Sequence, residues 1–143
     1  MSPTNLVRAR ALLAAFSLVA AAALAVACGE SPNGPPTPVP GTLTVTLVTP
    51  RADDRAMVVR VTGPAGMTEV ATANASYALH SRGTGTSFRA AAFGDLAGGA
   101  LLRFSVPDVN RSAEYAATVV EVSDGANALR TDLAGYRLSI SRP

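Results

Sequence analysis

The C-terminal two thirds of the chain alternates between apolar and polar residues with a period of two. In TLTVTLVT, residues 42–49, Leu43, Val45 and Leu47 share one face and the threonines share the other. This alternation is typical of a β-strand with one buried face. Six further stretches are interpreted as strands in the same way: residues 56–62, 75–81, 87–93, 100–106, 115–122 and 135–140.

Turn-forming sequences separate these strands, among them TGPAG at residues 62–66, SRGTG at residues 81–85 and SDGAN at residues 123–127. Seven to eight short strands in about 100 residues predict an all-β fold, an antiparallel β-sandwich of the immunoglobulin-like or jelly-roll-like kind, or a small barrel. Helix is the alternative for the alanine-rich residues 112–122. The β-branched residues Thr118, Val119, Val120 and Val122 argue against it.

The alternation also predicts which side chains form the core. Leu101, Arg103 and Ser105 are expected to face outward, opposite to their neighbours in the same strand. The predicted inward positions are Leu43, Val45, Leu47, Met57, Val59, Val61, Tyr77, Leu79, Leu102, Phe104, Val106, Tyr136, Leu138 and Ile140.

The first 27 residues have the pattern of a targeting segment. Arg8 and Arg10 precede an uncharged run, residues 11–27, which ends in small residues. A retained transmembrane helix is the alternative. However, 17 residues would extend only about 26 Å as a helix, short for a bilayer core of about 30 Å. We therefore predict a signal peptide at residues 1–27.

The single cysteine, Cys28, follows this segment directly. A lone cysteine can be a small buried side chain or a spare thiol, but no core-forming sequence surrounds this one. The tetrapeptide Ala25-Val26-Ala27-Cys28 resembles the lipobox of bacterial lipoproteins, although the family prefers leucine where Ala25 stands. The resemblance implies cleavage before Cys28 and lipidation (diacyl or palmitate-bearing) of that residue. It also implies that Gly29, in second place, favours export to the outer membrane if the organism has one.

Residues 28–41 predict a linker, because prolines occupy positions 32, 35, 36, 38 and 40. Such a chain favours extended polyproline II at about 3.1 Å per residue. It could instead be a ligand for an aromatic groove. Next to a lipid-modified cysteine, a spacer is the favoured interpretation. The sequence thus divides into a signal peptide at 1–27, a lipidated cysteine with linker at 28–41, and a β-domain at 42–143.

Charge argues against a nucleic-acid partner. All 12 basic residues are arginines, and loss of residues 1–27 leaves ten arginines with ten acidic residues. A domain with balanced charge lacks the overall electrostatic footprint that a polyanion requires.

Residues 94–106 resemble the closing part of bacterial cohesin-like and immunoglobulin-like β-sandwich modules. In those modules a glycine-rich turn leads into a G-x-L-x-x-F-x-V strand, and here GDLAGGALLRFSV occupies the corresponding place. The resemblance implies a sandwich fold. It maps no partner-binding residue onto this chain.

Candidates for chemistry are few. His80 is the only histidine and no nucleophile-elbow motif accompanies it. Asp53–Asp54 and the pair Glu114 with Glu121 could act as paired carboxylates, but are interpreted as a solvated turn and as strand-edge charges. Asp124, Asn127 and Asp132 could offer oxygen ligands to calcium, although their spacing matches no EF-hand.

The sequence therefore predicts no enzyme and no cofactor. The favoured hypothesis is a lipoprotein of the bacterial cell envelope, held to the membrane, and specifically the outer membrane, through Cys28. Its β-domain would be a non-catalytic interaction or structural module with an unidentified protein or polysaccharide partner. The alternative is a ligand-binding lipoprotein that takes carbohydrate or calcium at its loops.

Overall fold

The computed structural model describes residues 34–143, with Ala65 described by its backbone alone. Residues 38–143 form a compact unit. Cys28 and the predicted signal peptide lie outside the described residues, so their interpretation stays a prediction. Within residues 34–143, no helix is both long and apolar enough to cross a membrane.

The domain is all-β and antiparallel, as the alternation predicts. Seven strands and one 3-10 helix, Val109–Glu114, make up its regular structure. The strands are β1 (Gly41–Val48), β2 (Asp54–Thr72), β3 (Ala78–Arg82), β4 (Gly85–Phe93), β5 (Gly99–Val106), β6 (Ala116–Asp124) and β7 (Arg137–Ser141).

The long strand β2 joins two halves of one strongly bent sheet. Residues 56–62 of β2 pair with β4 on one side and residues 54–62 pair with β6 on the other, whereas residues 68–72 pair with β5. We call β3–β4–β2–β6 the front sheet and β2–β5–β1–β7 the back sheet. Because the two sheets share β2, their inner faces enclose one core.

The core consists of the side chains that alternation places inward. Phe88 of the front sheet and Phe104 of the back sheet pack edge to face with ring centroids 5.5 Å apart, and Tyr115 lies 5.8 Å from Phe104. The predicted inward positions are confirmed as buried or partly buried. The completely or almost completely buried large side chains include Leu43, Val45, Leu47, Met57, Val59, Val61, Met67, Phe88, Leu96, Leu101, Leu102 and Phe104.

Two predictions about β2 and β5 are wrong. TGPAG does not reverse the chain, because residues 62–66 lie within β2 where it passes from one sheet to the other. A Cβ at Gly63 would overlap the ring of Tyr115, so glycine lets β2 pass that ring. Leu101 is buried, not exposed, because a β-bulge skips it: Val45 pairs with Leu102 and Thr46 with Ala100.

The N-terminal end of the domain is fixed beside the 3-10 helix. Asp108 is the N-cap of this helix and accepts hydrogen bonds from the backbone N–H of Asn110 at 3.0 Å and of Val39 at 3.1 Å. The N–H of Val109 donates in turn to the carbonyl of Val39 at 2.8 Å. The proline-rich chain is therefore attached to the domain from Val39 onward. Glu114, predicted at a strand edge, lies instead in this helix.

Candidate functional site

The solvent-facing side of the front sheet, here called the front face, changes character along its strands. Strand pairing aligns its outward side chains in rows that cross the sheet, with successive rows about 7 Å apart. The first row is Ala78, Phe93, Ala56 and Ser123; the second is His80, Ala91, Val58 and Glu121; the third is Arg82, Arg89, Arg60 and Thr118. The first row is largely apolar and the third is basic.

A shallow groove of about 120 Å³ lies over the first two rows. Small side chains, Ala56 and Ala91, line it together with the larger Phe93 and Leu129. Phe93 is 43% exposed and Leu129 is 67% exposed, which is unusual for side chains of this size. The groove is therefore an apolar recess open to solvent.

His80 stands at the edge of this recess. Its ring packs edge to face against Phe93 with centroids 6.1 Å apart. The structure thus places the single histidine on an exposed strand beside an aromatic ring. A catalytic histidine needs a nucleophile and an acid as partners, and the phenyl ring of Phe93 is neither.

The third row brings together three arginines from three strands. Arg82 pairs with Arg89 across β3 and β4, and Arg89 pairs with Arg60 across β4 and β2. All three side chains are exposed. None is among the ion pairs or side-chain hydrogen bonds formed within residues 34–143, which involve other arginines. The sequence does not indicate this row, because its members lie far apart in the chain and only strand register aligns them.

Asp54 contradicts the prediction of a solvated turn. It is completely buried, and its carboxylate has a partner for each oxygen. Oδ1 accepts from Nε of Arg130 at 3.1 Å, while Oδ2 accepts from the Tyr136 hydroxyl at 2.7 Å and from the Thr49 hydroxyl at 2.9 Å. Because this carboxylate is buried and both of its oxygens are hydrogen-bonded, it is inaccessible to a substrate and its role is structural.

Arg130 collects the acidic residues at this end of the domain. Its Nη2 donates to Asp53 at 2.7 Å, and its Nη1 lies 3.6 Å from a carboxylate oxygen of Asp124. The hydrogen bond to Asp53, and after it the bond to Asp54, raises the pKa of the guanidinium. The bond between Arg130 and Asp53 lowers the pKa of Asp53. Burial, and then the bond to Asp54, raises the pKa of Tyr136.

Two of the three calcium candidates, Asp124 and Asp132, accept hydrogen bonds from backbone groups. Oδ1 of Asp124 accepts from the N–H groups of Ala126 and Ala128, both at 2.9 Å. Asp132 accepts from the N–H of Ala134 at 2.8 Å. Asn127 has a φ of 62°, the left-handed conformation that asparagine tolerates in turns. Over the described range 34–143, no group of three or more His, Cys, Asp or Glu side chains could hold a metal ion.

The second carboxylate pair is also explained locally. Nε and Nη2 of Arg111 donate to Oε1 and Oε2 of Glu114, at 2.7 Å and 2.6 Å. This bond lowers the pKa of Glu114. Glu121 instead lies exposed on β6 in the second row of the front face.

A second hollow of about 490 Å³ lies over the bulge in β2. There Glu69 adopts a φ of 50°, and its carboxylate accepts from the hydroxyl of Ser105 at 2.7 Å. The strained backbone coincides with the shift in pairing between Thr68 and Ala71. The bulge therefore accounts for this conformation.

No protein-family model, no curated protein and no solved structure matches this chain. The front face, with its apolar groove and its arginine row, is the candidate functional site on the geometry alone.

Proposed function

We propose that the protein is a membrane-anchored lipoprotein of the bacterial cell envelope, whose β-domain is a non-catalytic interaction module held outside the cytoplasm. The observation that carries this proposal is the point at which the described part of the chain joins the domain. The chain's first backbone hydrogen bonds to the folded domain within the described residues occur at Val39, so ten residues, 29–38, separate the cysteine from the domain.

This separation suits a spacer. Ten residues of extended, proline-rich chain span about 31 Å, enough to hold a small domain clear of a membrane surface. A diacylated or triacylated cysteine would anchor the chain stably, because two or more buried acyl chains are needed for permanent attachment. The outer membrane is the proposed destination, on the resemblance at Gly29.

The front face supports interaction as the domain's role. An apolar recess with an exposed aromatic ring can receive a partner, and exposed apolar surface of this kind marks interaction sites. Carbohydrate binding is the second candidate function, because Phe93 offers an aromatic surface beside polar groups. Its place would be the front face and not the loops.

The test is lipid labelling in a bacterium that processes lipoproteins. The full chain should incorporate a fatty-acid probe and sediment with membranes. Cys28→Ser should abolish the label, whereas Ser31→Ala, a neighbouring substitution that keeps the cysteine, should not change it. Equal labelling of the Cys28→Ser protein would refute the anchor.

A further inference from the structure

The arginine row is unusual because its three adjacent positive charges lower the stability of the front sheet. Neighbouring strands lie about 4.8 Å apart, so the row of Arg82, Arg89 and Arg60 spans about 10 Å. Like charges directly opposite each other destabilise a sheet. Three other arginines, Arg55, Arg111 and Arg130, pair with carboxylates within the described residues. The row has no such partner within residues 34–143.

The balanced total charge hides this local concentration. Many of the acidic residues lie at the loops around Arg130 and Arg55, where they are paired. On the front face the rows contain a single acidic residue, Glu121, for three arginines. An anionic ligand would therefore meet a positive line on a nearly neutral protein.

We propose that the front face binds an acidic polysaccharide, with its carboxylates on the row Arg82–Arg89–Arg60 and a sugar ring further along the same polysaccharide in the groove beside Phe93. This inference rests on the proposed function, since it names the partner of the envelope module. Guanidinium groups bind carboxylates through paired hydrogen bonds.

The distance between the two parts of the face requires an extended ligand. The arginine row lies two rows from Phe93, about 14 Å along the strands. The ligand must carry negative charge at one end of this span and apolar surface at the other. An acidic sugar chain has both, because its rings present C–H faces as well as carboxylates. Its hydroxyl groups also suit Glu121 and Ser123, which line the groove.

An anionic bilayer fits the same face less well. Peripheral membrane binding uses apolar side chains that enter the interface from a protruding surface. Here the apolar part is a recess with Ala56 and Ala91 among its lining residues. A flat surface cannot fill it, whereas a ring can.

The experiment measures retention of the full, lipidated protein, extracted in an uncharged detergent, on immobilised polygalacturonate. Dextran is the neutral comparison. We expect the protein to bind polygalacturonate and not dextran. The logarithm of the binding constant should fall with the logarithm of the salt concentration with a slope of about two to three, as for three released counterions. The triple variant R60Q/R82Q/R89Q should bind at least tenfold more weakly with a slope reduced by about two. Its melting temperature should not fall, because repulsion is removed.

The matched control is R103Q/R137Q/R142Q. It removes the same charge from three exposed arginines of the back sheet and the C-terminus. Near-normal retention of this control supports a defined site. Equal weakening of both triples, or no retention of the folded wild type, would overturn the proposal. Arginine-dependent binding to vesicles of anionic phospholipid but not to polygalacturonate would overturn it in favour of a membrane partner.

Failure of the proposed function is measured separately. If the wild-type chain takes up no fatty-acid label but is retained on polygalacturonate, the lipid anchor is refuted and the polysaccharide site is supported. If it is labelled normally but is not retained, the polysaccharide site is refuted and the lipid anchor is supported.

Discussion

Asp54 and Arg130 are 76 residues apart in the sequence, yet Nε of Arg130 donates to Oδ1 of Asp54 at 3.1 Å inside the protein. The pair joins the start of β2 to the connection between β6 and β7. Backbone bonds close the same region, since the N–H of Arg130 donates to the carbonyl of Val122 at 2.8 Å. The ion pair thus holds the β6–β7 connection against the start of β2, at the edge of the front sheet.

Asp54→Ala is expected to destabilise the domain by about 3–5 kcal/mol, the usual cost of removing one partner from a buried ion pair. The substitution leaves the guanidinium of Arg130 and the hydroxyl of Tyr136 without their buried acceptor. Urea unfolding followed by circular dichroism measures the change.

Asp53→Ala is the control, because Asp53 binds the same guanidinium from an exposed position. Solvent screens exposed pairs, so Asp53→Ala should lower the free energy of unfolding much less than Asp54→Ala does. Similar losses for the two variants would mean that burial of Asp54 does not decide the effect.

Phe104→Ala is expected to cost about 3–5 kcal/mol, as is usual for a buried aromatic side chain. Phe104 is completely buried between Phe88 and Tyr115, so the substitution opens a cavity between the sheets. Phe93→Ala removes the same atoms from a half-exposed position and should cost less than about 1 kcal/mol. Equal unfolding midpoints for wild type and Phe104→Ala would contradict the packing described.

The sequence predicts the strands and most of the core, because alternation is a local signal that Leu43, Val45 and Leu47 carry by themselves. It does not predict the course of β2 through Gly63, since the reason is the ring of Tyr115, more than fifty residues later. Leu101 is misassigned for a similar reason. A bulge adds one residue to one strand and reverses the inward and outward positions beyond it.

The candidate site depends still more on distant partners. Asp54 is buried because Thr49, Arg130 and Tyr136 surround it, and nothing in ADDR at residues 52–55 indicates this. The arginine row depends on the register of three strands, which the sequence does not fix. The sequence supplies the strand positions of Arg60 and Arg89, each flanked by buried residues, whereas SRGTG at residues 81–85 predicts a turn at Arg82.

Acid should weaken the attachment of the linker. The N–H groups of Val39 and then Asn110 hold the pKa of Asp108 below its ordinary value of 3.8. A carboxyl group whose folded-state pKa is lowered stabilises the fold above the unfolded value and loses that contribution as the pH falls through the folded value. We therefore expect stability to decline below about pH 4.

Asp108→Asn isolates this contribution, because asparagine keeps an acceptor oxygen without the charge. The variant should be less stable than wild type at pH 7, and the difference should shrink as the pH is lowered from 4 to 2. Thermal unfolding across that range provides the measurement. A difference that stays constant from pH 7 to pH 2 would show that charge on Asp108 has no role.

Calcium should leave the domain unchanged. A ligand that binds the folded state at a hundredfold excess over its dissociation constant would add about 2.7 kcal/mol of stability and raise the melting temperature by several degrees. Asp124 and Asp132 instead accept from backbone N–H groups of their own turns. Two carboxylates and one amide also neutralise calcium poorly. We expect melting temperatures in millimolar calcium and in chelator to agree within about two degrees. A larger rise in calcium that is lost in Asp132→Ala, a variant that leaves the Asp124 turn intact, would establish a calcium site and contradict this prediction.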